Sequence, residues 1–250
     1  MKTLIVAACV LVACSSSPLE STSAGGAANG GNADASATAG ASGTAAAFVD
    51  NCSAARAQLL GASEMVSTET VQVLANTAGV KTLYVDATAG GQNGAPTHPW
   101  TFIALGDGTK TDVNDVTSLQ SSAWDLAFKR DLIYTNGGEG GPGKGGSVFL
   151  DKDFADVTSA DLVGADFVTE EFFDDDCNPI VDVTGAASTS FSSWYDYDET
   201  THVLSPVTGT WLVRGATGKF FKLRFESYYA TPNGGTGSAG GAYLLEIGAF

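Results

Sequence analysis

The sequence predicts a mostly β domain, built of antiparallel sheets that are joined by glycine-rich loops. Apolar residues recur mainly at every second position, which is the spacing of side chains along one face of a strand. The chain also holds 31 glycines, and their clusters interrupt the alternating runs as turns do. A hairpin pattern near the C-terminus is the third observation. We therefore expect one domain of many short strands and little helix.

The hairpin pattern is the clearest local signal. A strand over 210–214 leads into the turn Gly-Ala-Thr-Gly at 215–218, and a second strand follows over 219–229. In the second strand apolar residues alternate with charged ones, as on a strand with one buried face. The residues expected to face inward are Phe221, Leu223 and Phe225.

Weaker patterns predict the other elements. Residues 124–129 alternate so that Trp124, Leu126 and Phe128 share a packed face, while Asp125, Ala127 and Lys129 share a wetter one. The remaining predicted elements are a short helix over 53–60 and strands around 83–87, 147–150 and 243–247.

The N-terminus has the layout of an export signal. Lys2 precedes an apolar run over 4–13, which is too short to cross a hydrocarbon core of about 30 Å. The tetrapeptide Leu-Val-Ala-Cys that ends at Cys14 resembles the bacterial lipobox. That resemblance implies removal of residues 1–13 and acylation of Cys14, which would anchor the chain in a lipid bilayer.

Residues 14–47 are expected to form a flexible tether, because Ser, Ala, Gly, Thr and Asn dominate there and cannot bury enough surface to fold. Residues 48–250 are then the single folded domain. Ser15 follows the lipobox cysteine, where retention in the inner membrane usually requires Asp. By that resemblance we expect a lipid-anchored protein of the outer membrane.

The charge excludes one class of partner. Lys and Arg number 12 against 28 Asp and Glu, which gives a net charge of −16. Proteins that bind nucleic acid need a basic patch to displace counterions. We therefore expect no nucleic-acid partner.

Two cysteines remain in the predicted domain, Cys52 and Cys177. In an oxidising compartment an even pair favours a disulfide. Two free buried thiols stay possible, and so does a zinc site, although no histidine lies near either cysteine.

The glycine-rich segment 136–146 has glycine and lysine at the spacing of a phosphate-binding loop, but Gly145 stands where that motif needs a hydroxyl. A strand-like run follows it instead of a helix, so a flexible loop between two strands is favoured.

No pattern for catalysis stands out. The chain has no Gly-x-Ser-x-Gly or His-Glu-x-x-His motif, and its two histidines are His98 and His202. Its acidic runs are typical of solvated faces. We therefore expect a binding protein and not an enzyme, and these residues predict no metal site.

Three blocks occur in order: Trp-Asp-Leu-Ala-Phe-Lys-Arg at 124–130, Thr-Asn-Gly-Gly at 135–138 and Gly-Lys-Gly-Gly-Ser-Val-Phe at 143–149. Together they resemble the central motif of HmuY-like proteins, and further similarity extends over most of 81–229. The resemblance implies a single antiparallel β-sheet domain. It also implies haem, held in the best-known members between two axial histidines and passed to an outer-membrane receptor.

The chain departs from that family where the ligands are expected. Residues 174–193, the region of the first ligand, contain neither His nor Met. After Trp194 the candidate haem ligand is His202, and His98 is a weaker candidate. Two hypotheses follow: a haem-binding lipoprotein for uptake or sequestration, or a presented β domain that lost haem ligation and binds a protein or glycan.

Overall fold

The structure, a computed structural model, describes residues 48–250. The predicted signal peptide over 1–13 and the tether over 14–47, which includes Cys14, lie outside the described residues. Within 48–250 no helix is both long enough and apolar enough to cross a membrane.

The described chain is mostly β, as predicted. One α-helix, α1, spans Ser53–Leu59, one residue short of the predicted 53–60, and three short 3₁₀ turns follow later. The twelve strands are β1 (Val71–Thr77), β2 (Val80–Asp86), β3 (Thr101–Ala104), β4 (Thr109–Lys110), β5 (Leu126–Lys129), β6 (Leu132–Thr135), β7 (Gly146–Leu150), β8 (Tyr195–Asp198), β9 (Val203–Pro206), β10 (Thr210–Arg214), β11 (Phe220–Ser227) and β12 (Ala242–Ala249).

These strands form three sheets, and every pair of neighbours is antiparallel. The largest has six strands in the order β1-β2-β12-β11-β10-β7. A second sheet has four strands in the order β4-β3-β5-β6, and β8 and β9 form a separate two-stranded hairpin. The antiparallel β fold predicted from the sequence is therefore confirmed.

The predicted late hairpin is present as β10 and β11. Trp211 pairs with Leu223 across it, and Leu223 pairs on its other side with Ile247 of β12. Phe221, Leu223 and Phe225 are buried, as the alternation predicts. They join apolar residues of β2, β3 and β5 in the largest hydrophobic cluster of the described chain. Both larger sheets contribute to this cluster.

A second cluster involves the opposite side of the four-stranded sheet. Trp100, Phe102, Trp124, Ala127 and Tyr134 pack there with Phe172 and Phe173, and residues at both ends of α1 lie against them. Strand β5 is therefore buried on both faces. The prediction of a wetter face was wrong, because the side that holds Ala127 and Lys129 is covered by this second layer.

The glycine-rich segment does connect two strands, β6 and β7, as predicted. The segment is, however, closely packed and held by hydrogen bonds, and it is not the flexible loop that the sequence predicted. Asn136 donates to the backbone oxygens of Ser121 and Trp124, both at 2.8 Å, and accepts from the backbone nitrogen of Gly143 at 2.9 Å. A Cβ on Gly137 would overlap the backbone of Gly145. Glycine is needed here because two backbone segments lie in contact.

Cys52 and Cys177 are joined by a disulfide in the structure, with their Cα atoms 5.4 Å apart. The bond connects the residue before α1 to the turn over 174–178. It thus links the N-terminal helix to the layer that covers the four-stranded sheet, across 125 residues of sequence.

Candidate functional site

A cavity in residues 48–250 has a volume of about 940 Å³. It lies among the end of α1, the turn between β5 and β6, the β8–β9 hairpin and the segment after β11. Cofactor and ligand sites commonly measure about 300–1,000 Å³. The cavity is therefore large enough for a cofactor-sized molecule.

His202 lies in the wall of this cavity, at the turn of the β8–β9 hairpin. Asp198 organises that turn: its carboxylate accepts from the backbone nitrogens of Thr200 and Thr201, at 2.8 and 3.1 Å. The backbone nitrogen of His202 then donates to the oxygen of Asp198 at 2.7 Å, and the residue adopts φ +58°. This turn directs the sequence-predicted candidate to the cavity.

The ring of His202 has one polar partner. Its Nδ1 lies 2.6 Å from the hydroxyl oxygen of Tyr197, which also lines the cavity. A neutral imidazole has one N–H and one lone pair. When Nδ1–H donates to Tyr197, the lone pair of Nε2 is free to bind a metal ion. The sequence analysis missed Tyr197, although the spacing of Tyr197 and His202 across a short turn was a usable signal.

His98, the weaker candidate, is placed differently. Its Nδ1 lies 3.0 Å from the backbone oxygen of Gly94, within the loop between β2 and β3. Its ring packs so closely on Gly90 that a Cβ there would overlap it. Pro96 of the same loop lines the cavity, but His98 does not. The two histidines are therefore not brought together as a pair in the cavity wall.

The region where the family resemblance places a first ligand is also absent from the wall: none of residues 174–193 lines the cavity. Phe173, just before that region, and Ala187, within it, pack in the hydrophobic layer on the four-stranded sheet. No group of three or more His, Cys, Asp or Glu side chains suited to a metal ion occurs in the described part of the chain.

Aromatic side chains supply much of the wall, and these residues were not predicted individually. Trp100, Tyr197, Tyr228 and Tyr229 line the cavity together with Leu132 and Leu204. The hydroxyl of Tyr229 accepts from the backbone nitrogen of Leu204 at 3.1 Å, which attaches the hairpin to the end of β11. Burial raises the pKa of Tyr228, so its hydroxyl stays protonated.

Two cations line the same cavity, Lys129 and Arg130, beside Asp131. Burial lowers the pKa of Lys129, and the negative charge of Asp115 opposes that shift. The Lys129 Nζ lies 3.3 Å from the backbone oxygen of Leu60 and 5.1 Å from the centre of the Trp100 ring. Arg130 donates through Nη1 to the backbone oxygen of Gly240.

The other polar residues of the shared sequence blocks support the backbone. Asp125 accepts from the backbone nitrogens of Leu105 and Ala216, both at 2.8 Å. Lys144, at the lysine position of the phosphate-loop spacing, has an exposed side chain, and its backbone nitrogen donates to Ala216. These contacts hold neighbouring loops together, and neither Asp125 nor Lys144 lines the cavity.

Solved structures with a similar chain path include three bacterial proteins. A protein from Bacteroides fragilis that is described as a lipoprotein has 19% identity and a TM-score of 0.43, covering 70% of this chain and 91% of its own. A protein from Bacteroides vulgatus described as HmuY-like and haem-binding has 19% identity and a TM-score of 0.41, with coverages of 74% and 97%. The apo HmuY analog of Tannerella forsythia has 15% identity and a TM-score of 0.44, with coverages of 73% and 98%. At these values we transfer no site from them.

Comparison with curated proteins gave no significant match. The sequence profile of the HmuY protein family, in contrast, matches residues 97–240. That range holds 144 of the 250 residues, which is more than half of the chain. It also contains the β5–β6 turn and the β8–β9 hairpin that line the cavity. The chain therefore belongs to the HmuY family.

Proposed function

We propose that this protein is a lipid-anchored haem-binding protein of the outer membrane, and that haem occupies the cavity beside the β8–β9 hairpin. The observation that carries the proposal is the position of His202 in the wall of a cavity of about 940 Å³. Imidazole is a common axial ligand of haem iron. Membership of the HmuY family supports the same ligand class.

The residues present fit such a group. Tyr229, Leu132 and Leu204 offer flat or apolar surface to a porphyrin ring, and His202 offers one nitrogen to iron. Haem supplies an iron centre that accepts axial ligands. His202 would hold it through Nε2, while Tyr197 fixes the ring orientation through Nδ1. The chain would capture haem for uptake or sequestration and pass it to an outer-membrane receptor, without catalysis.

The cavity wall has one imidazole, so we expect ligation unlike that of family members with two axial histidines. Iron bound by one imidazole and water, or by an imidazole and a weaker oxygen ligand, has a different spectrum from iron bound by two imidazoles. Losing one strong ligand also lowers affinity, so binding should be weak to moderate.

The test is a titration with haemin, followed in the Soret region. The full chain carrying Cys14→Ser is used, so that no detergent competes for haem. We expect saturable binding for this chain and for its His98→Ala variant, and loss of most binding for His202→Ala. Unchanged binding by His202→Ala would remove this residue as the ligand.

Tyr197→Phe tests whether Tyr197 orients the ring of His202 or binds the iron itself. The variant keeps the ring and removes the hydroxyl that lies 2.6 Å from Nδ1. Loss of such a partner typically lowers metal affinity by about 10- to 100-fold. We expect weaker haemin binding with the imidazole-type spectrum retained, whereas a changed ligand spectrum would mean that Tyr197 itself binds iron.

The alternative is a presented β domain that binds a protein or glycan instead. The single exposed imidazole in the wall, without a second one opposite, favours it. A chain that is folded by circular dichroism but gives no saturable Soret shift would support this alternative and contradict haem binding.

A further inference from the structure

Lys129 and Arg130 give the cavity wall a charge opposite to that of the chain as a whole. The described residues have many more acidic than basic side chains, yet these two consecutive cations line one cavity, and Asp131 is the one acidic residue of that lining within residues 48–250. Asp115, whose negative charge acts on Lys129, lies outside the lining. Within residues 48–250 neither cation forms an ion pair with a carboxylate. The cavity wall therefore has a local excess of positive charge.

Lys129 is the more deeply buried of the two cations. Its side chain is 7% exposed, and a buried ammonium group is unfavourable unless its three donors find partners. The one hydrogen bond that the structure gives its Nζ, among residues 48–250, is to the oxygen of Leu60 at 3.3 Å. That oxygen already accepts from Nε1 of Trp100 at 2.7 Å. Further donors of the ammonium group remain available to a ligand.

The guanidinium group of Arg130 also has N–H donors left for a ligand. Its backbone is held at φ +54°, with its nitrogen donating to Ala87 at 2.7 Å and its oxygen accepting from the Tyr243 hydroxyl at 2.6 Å. Within residues 48–250 the guanidinium group makes one hydrogen bond, to the backbone oxygen of Gly240. A guanidinium has five N–H donors in a planar fork that matches a carboxylate. The fixed backbone keeps this side chain at the cavity.

We propose that Lys129 and Arg130 form a carboxylate-binding end of the cavity, so that its ligand is an organic anion with a flat apolar body. This inference rests on the proposed function and deepens it, because a porphyrin with free propionates belongs to that class. Tyr197, Tyr229 and the leucines of the wall contact the apolar body, and the two cations contact its carboxylates.

The experiment uses iron-free protoporphyrin and its dimethyl ester, each kept dilute enough to stay monomeric. Quenching of tryptophan fluorescence in the full Cys14→Ser chain gives both dissociation constants. We expect the free acid to bind about tenfold more tightly than the ester, which corresponds to about 1.4 kcal/mol. Without iron, this comparison does not depend on His202. Equal affinities would overturn the inference while leaving haem binding untouched.

Variants identify the residues responsible. Lys129→Met and Arg130→Gln should each weaken binding of the free acid about threefold, which is half of the tenfold difference on a free-energy scale. Binding of the ester should not change, because a charge-assisted hydrogen bond is lost only with the acid. Lys219→Met, an exposed cation away from the cavity, is the matched control. A variant that weakens acid and ester equally would assign the side chain a purely structural role and overturn the inference.

Three further outcomes have defined consequences. If Lys129→Met fails to fold, the wild-type comparison and Arg130→Gln still test the proposal. If neither porphyrin binds the folded chain, both the carboxylate site and the porphyrin cavity are ruled out. If haemin binds through His202 but the acid and the ester bind with equal affinity, only the carboxylate site is ruled out.

Discussion

Replacing Glu170 by Gln should destabilise the fold measurably, although the two side chains have the same shape. Glu170 is 2% exposed, and its carboxylate accepts from the backbone nitrogens of Thr135 and Ser190 at 2.8 and 2.9 Å. The hydroxyls of the same two residues bond to Oε1 as well. The side chain therefore connects the end of β6 to the segment before β8.

A glutamine amide cannot satisfy this arrangement. The Thr135 nitrogen approaches Oε1 and the Ser190 nitrogen approaches Oε2, so either orientation of the amide places its NH₂ against a backbone N–H. An unsatisfied buried donor costs about 1–3 kcal/mol. We expect a loss of that size in the free energy of unfolding.

The assay is urea denaturation with the disulfide oxidised. The midpoints of the wild-type and variant unfolding curves are compared, and the dependence of the unfolding free energy on urea should be the same for both. Glu171→Gln is the matched control, because Glu171 is an exposed neighbour. Surface substitutions usually change stability by less than about 0.5 kcal/mol. If Glu170→Gln is as stable as this control, our account of the buried carboxyl is wrong.

The same pair of proteins gives a pH prediction. Burial raises the pKa of Glu170, against the lowering effect of its hydrogen bonds. A carboxyl with a raised folded-state pKa contributes stability that is complete below its unfolded pKa and is lost as pH rises through the folded pKa. Glutamine does not titrate. The penalty of Glu170→Gln should therefore shrink with rising pH, and a penalty that grows would contradict the direction of the shift.

Three further predictions concern the anchor, the bridge and the glycine-rich loop. Cys14→Ser should release the exported chain from the detergent phase, and continued partition with membranes would place the anchor elsewhere. Replacing Cys52 and Cys177 by Ser should lower stability by up to about 4–5 kcal/mol in the chain-entropy treatment, whereas labelling of two free thiols in the unfolded, unreduced chain would rule the bridge out. Gly137→Ala should destabilise strongly because its Cβ overlaps Gly145, while Gly106→Ala, with open space around it, should not.

Sequence pattern predicted the strands with one buried face better than the others. β11 and β12 alternate between core and surface, so the two-residue period locates them. β3 is buried along nearly all of its length and β8 is mostly exposed, so neither shows a contrast between its faces. The error over β5 has the same origin, because a covering layer contributed by distant residues is not visible in a local pattern.

The site was predictable in part. His202 was identified as a candidate because the chain has two histidines, and its turn places it in the cavity wall. Tyr228, Tyr229 and Lys129 were not identified as wall residues, since their positions depend on how separate elements meet. The local sequence of β5 does not show which of its faces lies at a cavity and which is packed in the core.

The two parts of the proposed site are supported by the chain in different ways. Lys129 and Arg130 belong to β5 and its following turn, in a doubly covered sheet, so the cations are held by the core itself. His202 lies on a two-stranded hairpin whose residues are mostly exposed. A change at such a turn disturbs little packing, whereas a change in β5 disturbs two layers. We therefore expect substitutions at the hairpin turn to remove or alter the proposed iron ligand while the cavity and its two cations persist.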